Sequence, residues 1–330
     1  MERLSVKLAA VLGAQLVLAL ILWWMGPDYS AFKAKEPLLA FDAAKVDRIE
    51  IDESGASSVT LVKESGKWIV PSFAGFPADE AQVKSLFTKL AGLKKGWPVA
   101  SSAEAAKRMR VTDALHERRI LLKSGGQELG ELLLGTSPAF KQVNARAGGD
   151  SHVYGVSFAA YEAGARGEDW LDRGLLNIPQ DQIASISLAD VTLERRDGKF
   201  VLSGLKQDEK QDQTAVYRLT GAITYPAFDA VAGKGGEALA KLNDPAIEVT
   251  VKRGSGAPIF IKYKKEADGA YLFASSAHDF VFRVSEAAIE PIVKAKREAL
   301  IEAPQKPVGE AAQTGAGAEK APEPPAPGGG

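Results

Sequence analysis

Apolar and polar residues alternate from Val46 to Asp52 (VDRIEID), and the alternation resumes in Ser58 to Lys63 and Lys67 to Val70 across ESG-type turns, which predicts three short antiparallel strands. The period then changes. Asp79 is placed to cap a helix in which Val83, Leu86, Phe87, Leu90 and Leu93 recur at steps of three and four and form one apolar face directed at the sheet. Ser102 opens a second short helix through Arg108. Four strand-like runs follow, Arg118 to Lys123, Glu128 to Leu134, Gln142 to Ala147 and Ser151 to Val156, with Gly125-Gly126 and Gly148-Gly149 as turns between them. Ser157 to Gly164 is expected to close the segment as a helix.

The same order then returns. Ile183 to Leu188, Val191 to Arg196 and Phe200 to Ser203 read as strands, Gln213 to Ile223 as a helix, and Gly236 to Leu242 stands where Ala103 to Met109 stood. Ala246 to Arg253, Ile259 to Lys264, Ala270 to Ser275 and Phe280 to Val284 supply the later strands. Ser285 is expected to cap a longer last helix carrying Ile289, Ile292, Val293 and Leu300. The residues themselves match: PLLAFDAAKVDRIEI (Pro37 to Ile51) with RGLLNIPQDQIASIS (Arg173 to Ser187), VTLVKESGKWIV (Val59 to Val70) with VTLERRDGKFVL (Val191 to Leu202), and HVYGVSFAAYEAG (His152 to Gly164) with FVFRVSEAAIEPI (Phe280 to Ile292). The spacing of roughly 130 residues is domain-sized, not that of a solenoid. The fold class expected is therefore α+β, with two tandem copies of an antiparallel-sheet-plus-helix module at 37–170 and 171–302. Trp68 and Phe200, which follow matching GK turns, read as core residues. Trp170, Leu171, Leu175 and Leu176, in the DWLDRGLL stretch, are the candidates for an inter-repeat junction.

Two segments fall outside this pattern. Leu8 to Met25 is uncharged and at 1.5 Å rise per residue reaches about 27 Å, just enough to span a bilayer. Residues 1–26 are accordingly read as a transmembrane anchor, with Trp23 and Trp24 at the membrane interface and 27–36 as a tether. Arg3 and Lys7 ahead of the run leave the short N-terminus in the cytoplasm and send the rest across, which in a bacterium means a single-pass inner-membrane protein with a periplasmic ectodomain. A cleaved signal peptide is the competing reading, although no small-x-small site follows closely. From Ala303 the composition is Pro, Ala, Gly, Glu and Gln, so 303–330 is expected to be a disordered tail.

Composition removes classes of function more than it adds them. The 330 residues are 45% hydrophobic and carry 41 Lys plus Arg against 42 Asp plus Glu, a net charge of -1 with no basic face for nucleic acid. The absence of cysteine removes disulfides, thiolate catalysis and cysteine-ligated metal. His116, His152 and His278 fall at positions that do not match between the halves and read as isolated surface or strand-edge residues. No HExxH helix, GxSxG elbow or phosphate loop is present. No catalytic residue, cofactor or metal is expected. Many short strands do leave sheet edges open to partner capture by strand addition, unless charges and bulges blunt them.

The N-terminal span, LLAFDAAKVDRIEI, the GKWIV to LFTKLAGL run (Gly66 to Leu93), ELLLGTSPAFKQVNARAGGDSHVYGV (Glu131 to Val156) and DWLDRGLLNIPQDQIASISL together resemble the bacterial family known as domain of unknown function 4340. The resemblance covers Pro37 to about Leu300, and its motifs mark fold, not catalysis. Members are similar to proteins encoded beside ABC-transporter components of the gliding-motility auxiliary type. The resemblance implies an accessory or scaffolding role in an envelope complex, associated with an ABC-type transporter. A peptide, glycan or lipid held between the repeats is the alternative. An enzyme would need one of the three histidines near a carboxylate inside a cleft.

Overall fold

The alternation in Arg48–Asp52 places Ile49 and Ile51 on one face, and both are fully buried in strand β1. A computed structural model of the protein describes residues 36–302 together with 12, 13, 15–17 and 20. Trp23, Trp24, the tether up to residue 35 and the tail lie outside the described residues. No helix among the described residues is long and apolar enough to cross a membrane.

From β1 the chain continues through β2 (Ser58–Glu64), β3 (Lys67–Val70) and β4 (Phe76–Pro77) into helix α1 (Glu80–Gly92). Asp79 caps α1 as its side chain accepts from the Ala81 and Gln82 amides at 2.9 and 3.0 Å. The buried stripe of α1 is Val83, Leu86 and Leu90, as the spacing predicts, and the half-buried Phe87 lies 5.9 Å from the Trp68 ring. β5 (Pro98–Ala100), α2 (Ala103–Arg108), the hairpin β6–β7 (Val111–Thr112 and Leu115–His116), and β8 to β11 (Arg118–Ser124, Gln127–Leu134, Val143–Ala147, Val153–Val156) complete the first half. Its strands pair antiparallel in the order β4-β3-β2-β1-β8-β9-β10-β11-β5.

The second half comprises β12 (Ile183–Leu188), β13 (Val191–Arg196), β14 (Lys199–Leu202), α3 (Gln213–Thr224), β15 (Ala230–Lys234), α4 (Gly236–Ala240) and β16 to β19 (Ile247–Arg253, Ile259–Lys265, Tyr271–Ser275, Phe280–Val284). Its order is β14-β13-β12-β16-β17-β18-β19-β15, the first sheet's order without β4. The local devices correspond as well. Asp212 caps α3 as Asp79 caps α1, and the β2–β3 and β13–β14 turns place Ser65-Gly66 and Asp197-Gly198 at φ of 49° and 84°, and 49° and 80°. Paired left-handed residues suit the two-residue turns that match strand twist. The two sheets do not join through backbone pairing, yet one buried apolar cluster runs from Leu38 to Leu300 through both. One apolar core thus serves both halves.

Several expectations need correction. Ser157 to Gly164 is not a helix but one 3-10 turn at Ala160–Glu162, where the Ala163 carbonyl instead accepts from Arg118 Nε at 2.9 Å. The last helix is broken into Glu286–Ile289, Glu290–Val293 and Arg297–Leu300, and Ser285 does not cap it through its side chain. Pro291 has no N–H to continue a ladder from the preceding turn. The lead-in alignment also shifts. The Leu38 amide donates to Leu93 O at the end of α1, and the Ile178 amide to Thr224 O at the end of α3, so Ile178 answers Leu38 where the residue match set Gly174.

Candidate functional site

The DWLDRGLL stretch reaches into both halves. Trp170 is fully buried, its Nε1 donates to Gly164 O at 2.8 Å, and its carbonyl accepts from the Asp79 amide at 2.8 Å, so it is tied to the start of α1. Leu171 forms a β-bridge with Ala78, and the Asp172 amide donates to Pro77 O at 3.0 Å. The half-buried Leu175 turns toward the second sheet, where His278 Nε2 donates to its carbonyl at 3.0 Å, and Leu176 is buried. Arg173 donates to Phe228 O at 3.0 Å and holds its guanidinium 4.8 Å from the Phe228 ring centroid.

What fills the junction is a residue the sequence did not single out. Phe76, fully buried in the two-residue strand β4, meets Phe280, Phe282 and Phe228 edge-on at 4.9, 5.6 and 5.8 Å. Edge-to-face aromatic pairs at such distances add to the stabilisation from area burial. Beside them the Pro71–Phe73 turn of the first half lies against β15, the last strand of the second sheet. The only available signal for Phe76 was an aromatic before the capped helix. A Pro-containing run of two residues carries too little pattern to be read as a strand.

The three histidines are not isolated, contrary to expectation. His116 is buried, with Nε2 2.6 Å from Asp52 Oδ2 and Nδ1 3.2 Å from Thr112 O, and it pins the β6–β7 hairpin to the end of β1. His152 lies 3.2 Å from Asp150, whose carboxylate also accepts from the His152 amide at 2.9 Å and pairs with Lys95 at 3.0 Å. Burial pushes the Asp150 pKa up, but the His152 amide, Lys95 and the His152 ring outweigh it and bring the value from 3.8 to about 2. These pairs are far apart in sequence or embedded in a turn, so no motif could announce them.

A cavity of about 450 Å³ opens on the outer face of the second sheet, lined among others by Leu242, Phe260, Lys262, Ala274 and His278. In the first half the corresponding face is closed by the β6–β7 hairpin, whose Val111 packs with Ala106, Leu133 and Val153. The segment that leads from α2 into the hairpin is pressed against the end of β9: a Cβ on Gly135 would lie 1.9 Å from Met109 O and 2.6 Å from Arg110 O. His278, the one histidine in the cavity wall, already donates from Nε2 to the linking segment. Among the described residues no group of three or more His, Asp or Glu is arranged to hold a metal ion.

No curated protein and no solved structure matches the chain. The family model of the domain of unknown function (DUF4340) matches residues 68–245, from Trp68 on β3 through α3 and α4, which is more than half of the 330 residues. The chain belongs to the DUF4340 family.

Proposed function

We propose that the protein is a non-enzymatic accessory or scaffolding component of a bacterial envelope complex, associated with an ABC-type transporter. In this reading the N-terminal apolar run is a single-pass inner-membrane anchor, and the folded part stands in the periplasm. The two halves, 37–170 and 171–302, are copies of one unit. Their common strand order, the matching caps Asp79 and Asp212 and the matching left-handed turns support the duplication.

The observation that carries the scaffolding reading is the aromatic junction. Four phenylalanine rings occupy the place where a groove between the copies would lie, which favours one rigid body presenting its outer surfaces. The groove-binding alternative is weaker on the same ground, since the cavity of about 450 Å³ is lined by residues of the second half alone. Chemical crosslinking in intact membranes, followed by purification of the full chain, is expected to enrich an ABC-type permease or ATPase. Recovery of no transport or envelope component would overturn the proposal.

A further inference from the structure

In the second half the edge strand β15 lies against the Pro71–Phe73 turn, a segment of the unit that precedes it in the chain. The strand at the matching place of the first sheet is β5, and what precedes that unit is the N-terminal apolar run. β5 carries Val99, 52% exposed, and follows directly on Trp97, 71% exposed. The chain enters the fold beside this edge: the Lys95 amide donates to Glu36 O at 2.8 Å, and Pro37 forms a β-bridge with Lys94. Residues 27–36 can extend at most about 35 Å, at roughly 3.3–3.6 Å per residue, so an edge tied to Glu36 cannot lie far from the end of the run.

We infer that the β5 edge is a second membrane contact, with Trp97 and Val99 seated in the headgroup layer of the bilayer that holds the anchor. This rests on the anchor reading given above. A Trp next to an apolar strand residue and an exposed lysine is the composition that partitions to the membrane interface, where the indole has both an apolar ring and a donor. The exposed Lys94 flanks it on the side from which the chain arrives, while Lys95 turns to Asp150. Pro98 at the start of β5 and the strand's three-residue length oppose strand addition, so an exposed apolar edge here is better matched to lipid than to another sheet.

The chain has no cysteine, so single-cysteine variants can be labelled without background. Full-length protein carrying Val99→Cys, Leu16→Cys or Ser255→Cys, each labelled with a small fluorophore, is reconstituted into phosphatidylcholine–phosphatidylglycerol vesicles without nitroxide lipid, with headgroup-region nitroxide lipid, or with lipid carrying the nitroxide deep in the acyl chain, where residue 16 of the anchor would lie. Ser255 lies at the exposed tip of the β16–β17 hairpin and serves as the reference. The expected result is quenching at 99 by the headgroup nitroxide and at 16 by the acyl-chain nitroxide, each at least about twofold above that at 255, with Trp97→Ser reducing the quenching at 99. Quenching at 16 with 99 at the reference level overturns the membrane contact and leaves the anchor standing. Reference-level quenching at 16 and 99 alike overturns both.

Discussion

At the end of the second sheet, β15 lies under the first half and Phe228, Phe280 and Phe282 close on Phe76. At the corresponding end of the first sheet the same places hold other chemistry. Tyr154 pairs with Pro98 on β5 as Phe282 pairs with Val231 on β15. Two residues before these stand His152 and Phe280, and three residues before Pro98 and Val231 stand Lys95 and Phe228. Three rings in one half thus answer a lysine, a histidine and a tyrosine gathered around Asp150 in the other. The outgoing ends differ in the same way. Three residues ahead of the capping Asp79 stands Phe76, whereas three ahead of Asp212 stands Glu209, which accepts from the Lys206 amide at 3.0 Å and pairs with Arg297. At these matching places rings gather where the other half docks, and charged and polar groups gather where it does not.

Phe76→Ala attacks the comparison most directly. Emptying the ring cluster is expected to cost about 3–5 kcal/mol and to separate the unfolding of the halves into two denaturant transitions followed by near-UV circular dichroism. A single transition at nearly unchanged midpoint would mean that the junction does not couple the sheets. Next in size is His116→Ala, which frees the hairpin that only the first half possesses. The loss of a buried charge-assisted contact is expected to cost about 1–3 kcal/mol and to speed amide exchange in Val111–His116 before the rest of the sheet.

Asp150 sharpens the polar end. Its folded-state pKa of about 2 lies below the ordinary 3.8, so its contribution to stability is full above about pH 4 and is lost as the pH falls toward 2. Asp150→Asn is expected to lower stability at pH 7 by about 1–2 kcal/mol and to flatten this part of the acid profile, read as denaturant midpoint against pH. A variant whose profile keeps the wild-type slope between pH 4 and 2 would remove Asp150 from the account. The smallest effect is expected at Tyr263. Its backbone carbonyl accepts from Ala246 as that of Leu134 does from Glu117, but its buried hydroxyl has no hydrogen-bond partner among the described residues, and burial pushes its pKa up. Tyr263→Phe should leave stability unchanged or raise it by up to about 1 kcal/mol in thermal unfolding, because an unsatisfied buried hydroxyl opposes folding.

Much of the fold was legible because its signals are local. The alternation around Ile49 and Ile51, the Asp79 cap with its Val83–Leu86–Leu90 stripe, and the glycines at the β2–β3 and β13–β14 turns each act within a few residues. The short edge strands were not legible, because β4 and β5 contain proline and β15 contains Gly233, and two to five residues carry little periodicity. Pro291 did carry a readable break in the last helix, but the apolar spacing of Ile289, Ile292 and Val293 masked it. Of the junction, Trp170, Leu171 and Leu176 were legible as apolar residues at the boundary, and all three are buried. Phe76, Arg173 and the His116–Asp52 pair were not.

By itself the sequence determined the period of each segment, the caps, the turns and the recurrence of one pattern in two halves, since these depend on neighbours along the chain. Only the tertiary structure decided which edge meets which. A side chain's partner across 64 residues, as for His116 and Asp52, or across the two sheets, as for Phe76 and Phe282, is chosen by how the elements pack. The physical reason is that secondary structure follows from backbone bonding and local burial, whereas docking follows from the shape and charge of surfaces that exist only once each sheet has formed.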